Sequence, residues 1–323
     1  MPPLAAGAAR LQTAPTMSVG IRPASGTPAI TPRELAIGLG AGAVVVAIWT
    51  AFLLVSRAGV LGPLLPTDIA GLRMSVAVLA AAPIAWRFGL AGLSLPRAAL
   101  LVATAGLGFP LLAYWGFAFA PAAHASIMMT STLPLWTAFL ARLILGEPLR
   151  GRRLLSLALI VAGIAALASG LEEAPPGAWR GDLLFAAASF SWAVFTIAAR
   201  AWRVPPLAAA GVVGLGAGLV YLPPWLLLLP KGVAAASWAE LLFQGIYHGL
   251  LAFLVAFVAY TRCVAALGPG PTTMLTALVP GLGALLAVPI LGEPLSLEAV
   301  AGLAFVTTGM LATVAGLQPL RSG

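Results

Sequence analysis

Read by polarity alone, the chain alternates long apolar runs with short breaks rich in Arg, Pro and Gly. Ten such runs, at 35–56, 67–86, 97–119, 121–142, 150–169, 181–201, 206–229, 238–261, 269–291 and 295–316, stand out. At about 20 residues, each is long enough to cross a hydrocarbon core of roughly 30 Å as a helix. A β-barrel is excluded, because its strands would be roughly 10 residues long with alternating polarity. The pattern predicts an all-α polytopic membrane protein with ten transmembrane helices. Residues 1–34 are rich in Ala, Pro, Ser and Thr around isolated arginines and lack the continuous apolar stretch of a cleavable leader. They read as a disordered cytoplasmic tail, and 317–323 read as a second tail.

The runs fall into two copies of one unit. Leu145-Gly146-Glu147-Pro148-Leu149 recurs 146 residues later as Leu291-Gly292-Glu293-Pro294-Leu295. The same register joins Tyr114 to Tyr260, Met128 to Met274, Thr130 to Thr276, Pro134 to Pro280 and Gly163 to Gly309. In the opening helices Trp49, Phe52 and Arg57 match Trp192, Phe195 and Arg200 at a shift of 143. The units are 35–170 and 181–316, with five crossings each. Five is odd, so the second unit enters from the opposite side of the membrane, which predicts an inverted-topology repeat. Pro148 and Pro294 are expected in the first turn of the following helix, where a missing N–H costs nothing.

Composition agrees. Hydrophobic residues make up 61% and charged residues 8%, against roughly 25% charged in ordinary globular chains. The net charge of +8 does not point to nucleic acid, because the basic residues are scattered between apolar runs. Charge placed that way sets orientation. With the N-terminus in the cytoplasm, Arg57, Arg180 and Lys231 fall outside and Arg73 lies within a span, leaving thirteen of the seventeen basic residues inside. Both termini are therefore expected in the cytoplasm. Cys263 is the only cysteine, and His124 and His248 are the only histidines. No metal site, disulfide or cofactor motif is expected.

Two five-helix units, each with a Pro in its fourth helix followed by Leu-Gly-Glu-Pro-Leu, resemble the EamA family of the drug/metabolite transporter superfamily. Trp49 in the first helix and Arg73 in the second fit the same pattern, and the resemblance covers about residues 35–316. It implies a carrier, most often an exporter of amino acids or other small metabolites, in a bacterial plasma membrane. It also makes Arg73 a candidate to hold a substrate carboxylate or to form an internal pair that shapes the fold. The second unit departs from the pattern, since the position matching Arg73 is apolar or Gly.

Few polar groups lie deep enough to carry chemistry. Glu240, Gln244 and His248 recur at four-residue spacing and share a helical face. His248 sits near mid-span, where an ionisable group faces protein or a water-filled cavity. It is a candidate to bind substrate or to carry a coupled proton; the bland alternative is a neutral histidine bonded to a neighbouring helix. Trp49, Tyr114, Trp115, Trp192, Tyr247 and Tyr260 are midspan aromatics that could line a cavity or simply pack, unlike the interfacial Trp86, Trp179 and Trp238. His124 reads as an interfacial residue. Pro134 and Pro280 each remove a helical hydrogen bond and are candidates for paired kinks. Glu147 and Glu293 are assigned a structural role in the turns, each complementing the dipole of the next helix.

These expectations converge on a secondary transporter, an exporter of amino acids or related metabolites working by alternating access. The alternatives are a nucleotide-sugar or drug carrier of the same superfamily, or a non-transporting sensor or scaffold. A polyphosphate ordinarily needs more fixed cations than Arg73 alone. An intramembrane enzyme would need a nucleophile–base pair or metal ligands, and the sequence offers neither.

Overall fold

The computed structural model describes residues 31–147, 151–170 and 175–315, and among them the regular elements are all helical. The expectations for residues 1–30, for Pro148 and for the residues beyond Ala315 lie outside that set. The first half comprises α1 (Pro32–Leu61), α2 (Pro66–Phe88), α3 (Leu95–Phe119), α4 (Ala122–Leu145) and α5 (Arg152–Ser169). The second comprises α6 (Ala178–Ala201), α7 (Pro206–Leu227), α8 (Trp238–Leu267) and α9, which is Pro269–Thr276 continued after Ala277 by Leu278–Leu291. Leu297–Ala315 forms α10. Eight of these helices are long and apolar enough to cross a membrane, while α5 and α10 are shorter apolar helices.

Local chemistry explains the boundaries. Thr31 and Glu34 close a capping box over the start of α1, with Pro32 at the first helical position. α2 opens on Asp68, which is fully buried. Its carboxylate accepts from the backbone N–H of Leu65 at 3.1 Å, from Gly232 N–H at 2.7 Å and from the Trp225 indole at 3.1 Å. One side chain thus fixes the start of α2, the end of α7 and the loop after it.

Each Leu-Gly-Glu phrase is a helix exit. Gly146 and Gly292 adopt φ of +70° and +67°, and the next N–H, of Glu147 or Glu293, returns to the carbonyl of Ala141 or Ala287. This is the Schellman geometry that favours Gly. The two glutamates therefore stand at the negative ends of α4 and α9, and α10 begins only at Leu297. That corrects the dipole argument: Pro294 lies in the connection rather than in the first turn of α10, and Glu293 does not cap that helix. α9 breaks at Ala277, one turn before Pro280, whose ring clashes with the carbonyl four residues back. α4 stays helical past Pro134.

Packing follows a two-fold logic. If α1 to α5 are exchanged for α6 to α10, the principal helix contacts map onto one another. The α1–α8 contact becomes α6–α3, α1–α9 becomes α6–α4, and α2–α8 becomes α7–α3. The α2–α7, α4–α9 and α5–α10 contacts map onto themselves. Self-paired helices run antiparallel. In α5–α10, Gly163 lies against the Gly302 carbonyl and Gly309 against that of Ser156. In α2–α7, the Tyr221 hydroxyl donates to the Thr67 carbonyl while Gly211 packs on Ala85. Without a hydrophobic drive between helices in lipid, such small-residue contacts supply the association. The largest core cluster joins Phe52, Ile69, Met74, Tyr114, Phe117, Phe185 and Trp225 across both halves. Leu79, Trp86, Leu227 and Trp238 stay exposed.

Candidate functional site

α2 and α8 cross where their polar residues lie. The Arg73 Nη1 donates to the backbone carbonyl of His248 at 3.2 Å. Gly249 permits that approach, because a Cβ there would stand 2.5 Å from the Arg73 carbonyl. The crossing falls in a π-helical stretch of α8, Tyr247–Val255. A matching stretch occupies Val102–Gly108 of α3, at the equivalent place in the other unit. Such widened turns are frequent at functional sites, since they re-aim side chains without ending the helix.

The His248 ring is fully buried and boxed edge-on by three aromatics: Tyr114 at 5.1 Å, Tyr247 at 5.1 Å and Phe52 at 5.5 Å between centroids. Among the described residues, both of its ring nitrogens lack a hydrogen-bond partner, as do the Tyr114 hydroxyl and the Gln244 Oε1. Gln244 Nε2 reaches the Val55 carbonyl at 3.5 Å, and the Tyr247 hydroxyl donates to the Ile48 carbonyl at 2.5 Å. An unpaired buried polar atom costs about 1–3 kcal/mol, so four of them in one place are conspicuous.

Arg73 sharpens the point. It is 7% exposed, so it does not snorkel to the interface. Among the described residues no carboxylate stands within ion-pair distance of it. Asp68, one turn away, is committed to Leu65, Trp225 and Gly232. The Phe253 ring, 5.7 Å from the guanidinium carbon, adds a cation–π contact. A cavity of about 10 Å³ beside Arg73, lined also by Met74, Ala105, Gly214 and Phe253, holds at most one water. The site is occluded in this conformation.

Comparison with known proteins decides the family. The EamA-like transporter family matches the chain twice, over residues 36–169 and 179–315. The chain belongs to that family. A protein of Streptantibioticus cattleyicolor named as a probable terminal-alkyne amino-acid exporter is 29% identical over 239 residues, covering 70% of this chain and 77% of that protein. The uncharacterized transporter YetK of Bacillus subtilis is 26% identical over 201 residues, 58% of either chain. A solved crystal structure superposes with a TM-score of 0.61 at 19% identity, over 89% of this chain and 99% of its own, which shows the fold.

In this EamA-like transporter, Arg73, Tyr114, Gln244 and His248, each singled out from the sequence, come together around one buried point. Trp49 and Tyr260 stack on each other at 5.5 Å, and Trp192 packs on Phe109 at 5.0 Å, both half-buried beside the cluster rather than inside it. Trp115 is exposed and lines nothing. His124 corrects its interfacial reading: it is buried, and its Nδ1 lies 3.0 Å from the Asp182 carboxylate of α6. Phe52 and Asp182 were not legible as members of any site. Phe52 looks like one apolar residue among many, and Asp182 lies 58 positions from its partner. Glu147 and Glu293 lie at opposite ends of the bundle, away from the cluster.

Proposed function

We propose that this EamA-like chain is a carrier for small carboxylate-bearing solutes of the amino-acid class, moving them outward across a bacterial plasma membrane by alternating access. The observation that carries the reading is Arg73, a buried cation with no protein carboxylate among the described residues, beside four unpaired polar atoms. An entering carboxylate neutralises the guanidinium and can accept bidentate, charge-assisted bonds. Tyr114, Gln244 and His248 then offer donors and acceptors to the solute's remaining polar groups, and Trp49, Trp192 and Tyr260 supply the adjoining apolar wall. The outward direction is supported by the relative named as an exporter.

The conformational half of the reading is an inverted pair of five-helix units spanning the membrane ten times, with both termini in the cytoplasm. Its support is the antiparallel self-pairing of α2 with α7 and α5 with α10, together with the positive-inside count. Pro134 and Pro280 are the flexing points of the fourth helix in each unit.

Proteoliposome counterflow tests the proposal. Radiolabelled neutral amino acids should exchange, and their methyl esters and decarboxylated amines should compete poorly. Equal competition by carboxylate-free analogues would sink it. Repeating the assay across pH with His248→Ala shows whether the ring carries a coupled proton, because a preserved pH profile removes it from that role.

A further inference from the structure

The two exit-turn glutamates do more than end helices. Arg57, at the end of α1, pairs with Glu293 of the other unit at 2.5 Å. Arg200, at the end of α6, pairs with Glu147 at 2.6 Å. Arg57 and Arg200 are repeat equivalents, and so are Glu147 and Glu293. Each ion pair therefore ties the first helix of one unit to the fourth helix of the other, and the two ties sit at opposite ends of the bundle. A carboxylate at a helix C-terminus is disfavoured by the dipole, so each glutamate depends on its arginine partner.

The two ends are not in the same state. Arg57 and Glu293 side chains are 13% and 12% exposed, whereas Arg200 and Glu147 are 61% and 31% exposed. Glu293 also accepts from the Ala122 N–H at 2.7 Å, at the start of α4, and Arg57 donates to the Phe117 carbonyl at 2.5 Å, near the end of α3. α1, α3, α4 and α9 are thus gathered in one knot. At the other end Glu147 is shared with Arg153 of its own unit at 3.5 Å. The position that mirrors Ala122 is Gly268, whose N–H is already given to the Val264 carbonyl at 2.9 Å.

We infer that Arg57–Glu293 and Arg200–Glu147 are end latches for transport: each seals one end of the carrier, both are closed in this occluded conformation, and release of one opens its own end. The present structure has the Arg57 end sealed and the Arg200 end held by a solvated pair. These are positioning residues; none touches the Arg73 cluster. The inference rests on the alternating-access reading, but its test needs no solute, so it can fail while carboxylate flux stands.

Two buried repeat-equivalent positions serve as reporters. Ser126 lies one turn inside Ala122 on α4, and Thr272 lies one turn inside the start of α9. In full-length Cys263→Ala protein reconstituted in liposomes, Ser126→Cys and Thr272→Cys are introduced separately. Labelling rates with a membrane-impermeant maleimide are measured from each side. Glu293→Gln should raise the Ser126→Cys rate about fivefold, the shift expected from a tie of modest strength, and should not raise the Thr272→Cys rate. Glu147→Gln should raise the Thr272→Cys rate and not that of Ser126→Cys. Arg57→Gln should reproduce Glu293→Gln, and the double variant should go no further than the larger single effect. Unchanged reporters, or both reporters rising together in Glu293→Gln and in Arg57→Gln, would overturn the latch assignment.

Discussion

Arg73→Met separates a binding cation from a structural one. The substitution keeps an unbranched side chain of similar reach within the α2–α8 crossing. It forfeits the bond to the His248 carbonyl, about 1.5–3 kcal/mol for a charged donor, and the Phe253 ring contact, about 0.5–2 kcal/mol. Against this, it removes an ion whose burial without a counter-charge costs several kcal/mol even after relaxation. The terms roughly cancel or favour the variant, so its melting temperature in detergent should stay within about 3 °C of the parent or rise. Binding should respond very differently. Two charge-assisted bonds to a carboxylate, together about 3–4 kcal/mol, correspond to about a hundred- to thousand-fold in affinity. The assay pairs differential scanning fluorimetry with counterflow of the best amino acid found, using its carboxamide as control. The carboxamide should bind parent and variant alike. A variant that loses more than about 5 °C, or one that keeps its affinity for the acid, would refute the reasoning.

Further tests address the scaffold. Asp68→Ala strips the acceptor from Leu65, Gly232 and Trp225 together; with about 1–3 kcal/mol for each group left unpaired, the thermal midpoint should fall sharply, and Asp68→Asn should fall less. Gly163→Val places a Cβ 2.8 Å from the Gly302 carbonyl and should separate α5 from α10, read as loss of a monodisperse size-exclusion peak. Gly40→Ala, where a Cβ meets nothing within 4 Å, is the matched control and should be neutral or stabilising by about 0.5–1 kcal/mol.

What could be read before folding, and what could not, divides along physical lines. Run length in lipid is a hard constraint, so eight of the apolar runs recur as helices long and apolar enough to cross a membrane, and the other two as the shorter apolar helices α5 and α10. The register of the duplication was equally open, because it is carried by identity rather than by geometry. Facing was not. Tyr114 is buried and Trp115, its neighbour, is exposed, yet a helix apolar on all sides offers no periodicity to tell them apart. The π-helical stretches leave no compositional trace. Long-range pairs such as His124–Asp182 and Arg57–Glu293 depend on which helices meet. Arg73 and His248 were conspicuous because midspan charge is scarce; their meeting required the α2–α8 crossing.

A symmetric frame carrying an asymmetric site has a mechanical consequence. If the halves were identical, sealing either end would cost the same and the empty carrier would spend equal time facing each way. The departures here fall where they can bias that balance. Arg73 has no twin, since α7 offers Gly216 and Gly218 near its place, and Gly218 instead lets Val78 and Met74 pack closely. His124–Asp182 is also single: the positions 146 residues after His124 and 143 before Asp182 are Gly270 and Leu39. This pair joins α4 to α6 at the same end as Arg57–Glu293, two residues along α4 from Ala122. Among the described residues, the Arg57 end therefore holds a buried tie between the units and a backbone anchor, whereas the second tie at the Arg200 end, Arg153–Glu147, stays within one unit. On the alternating-access proposal, those extra contacts favour the conformation sealed at the Arg57 end.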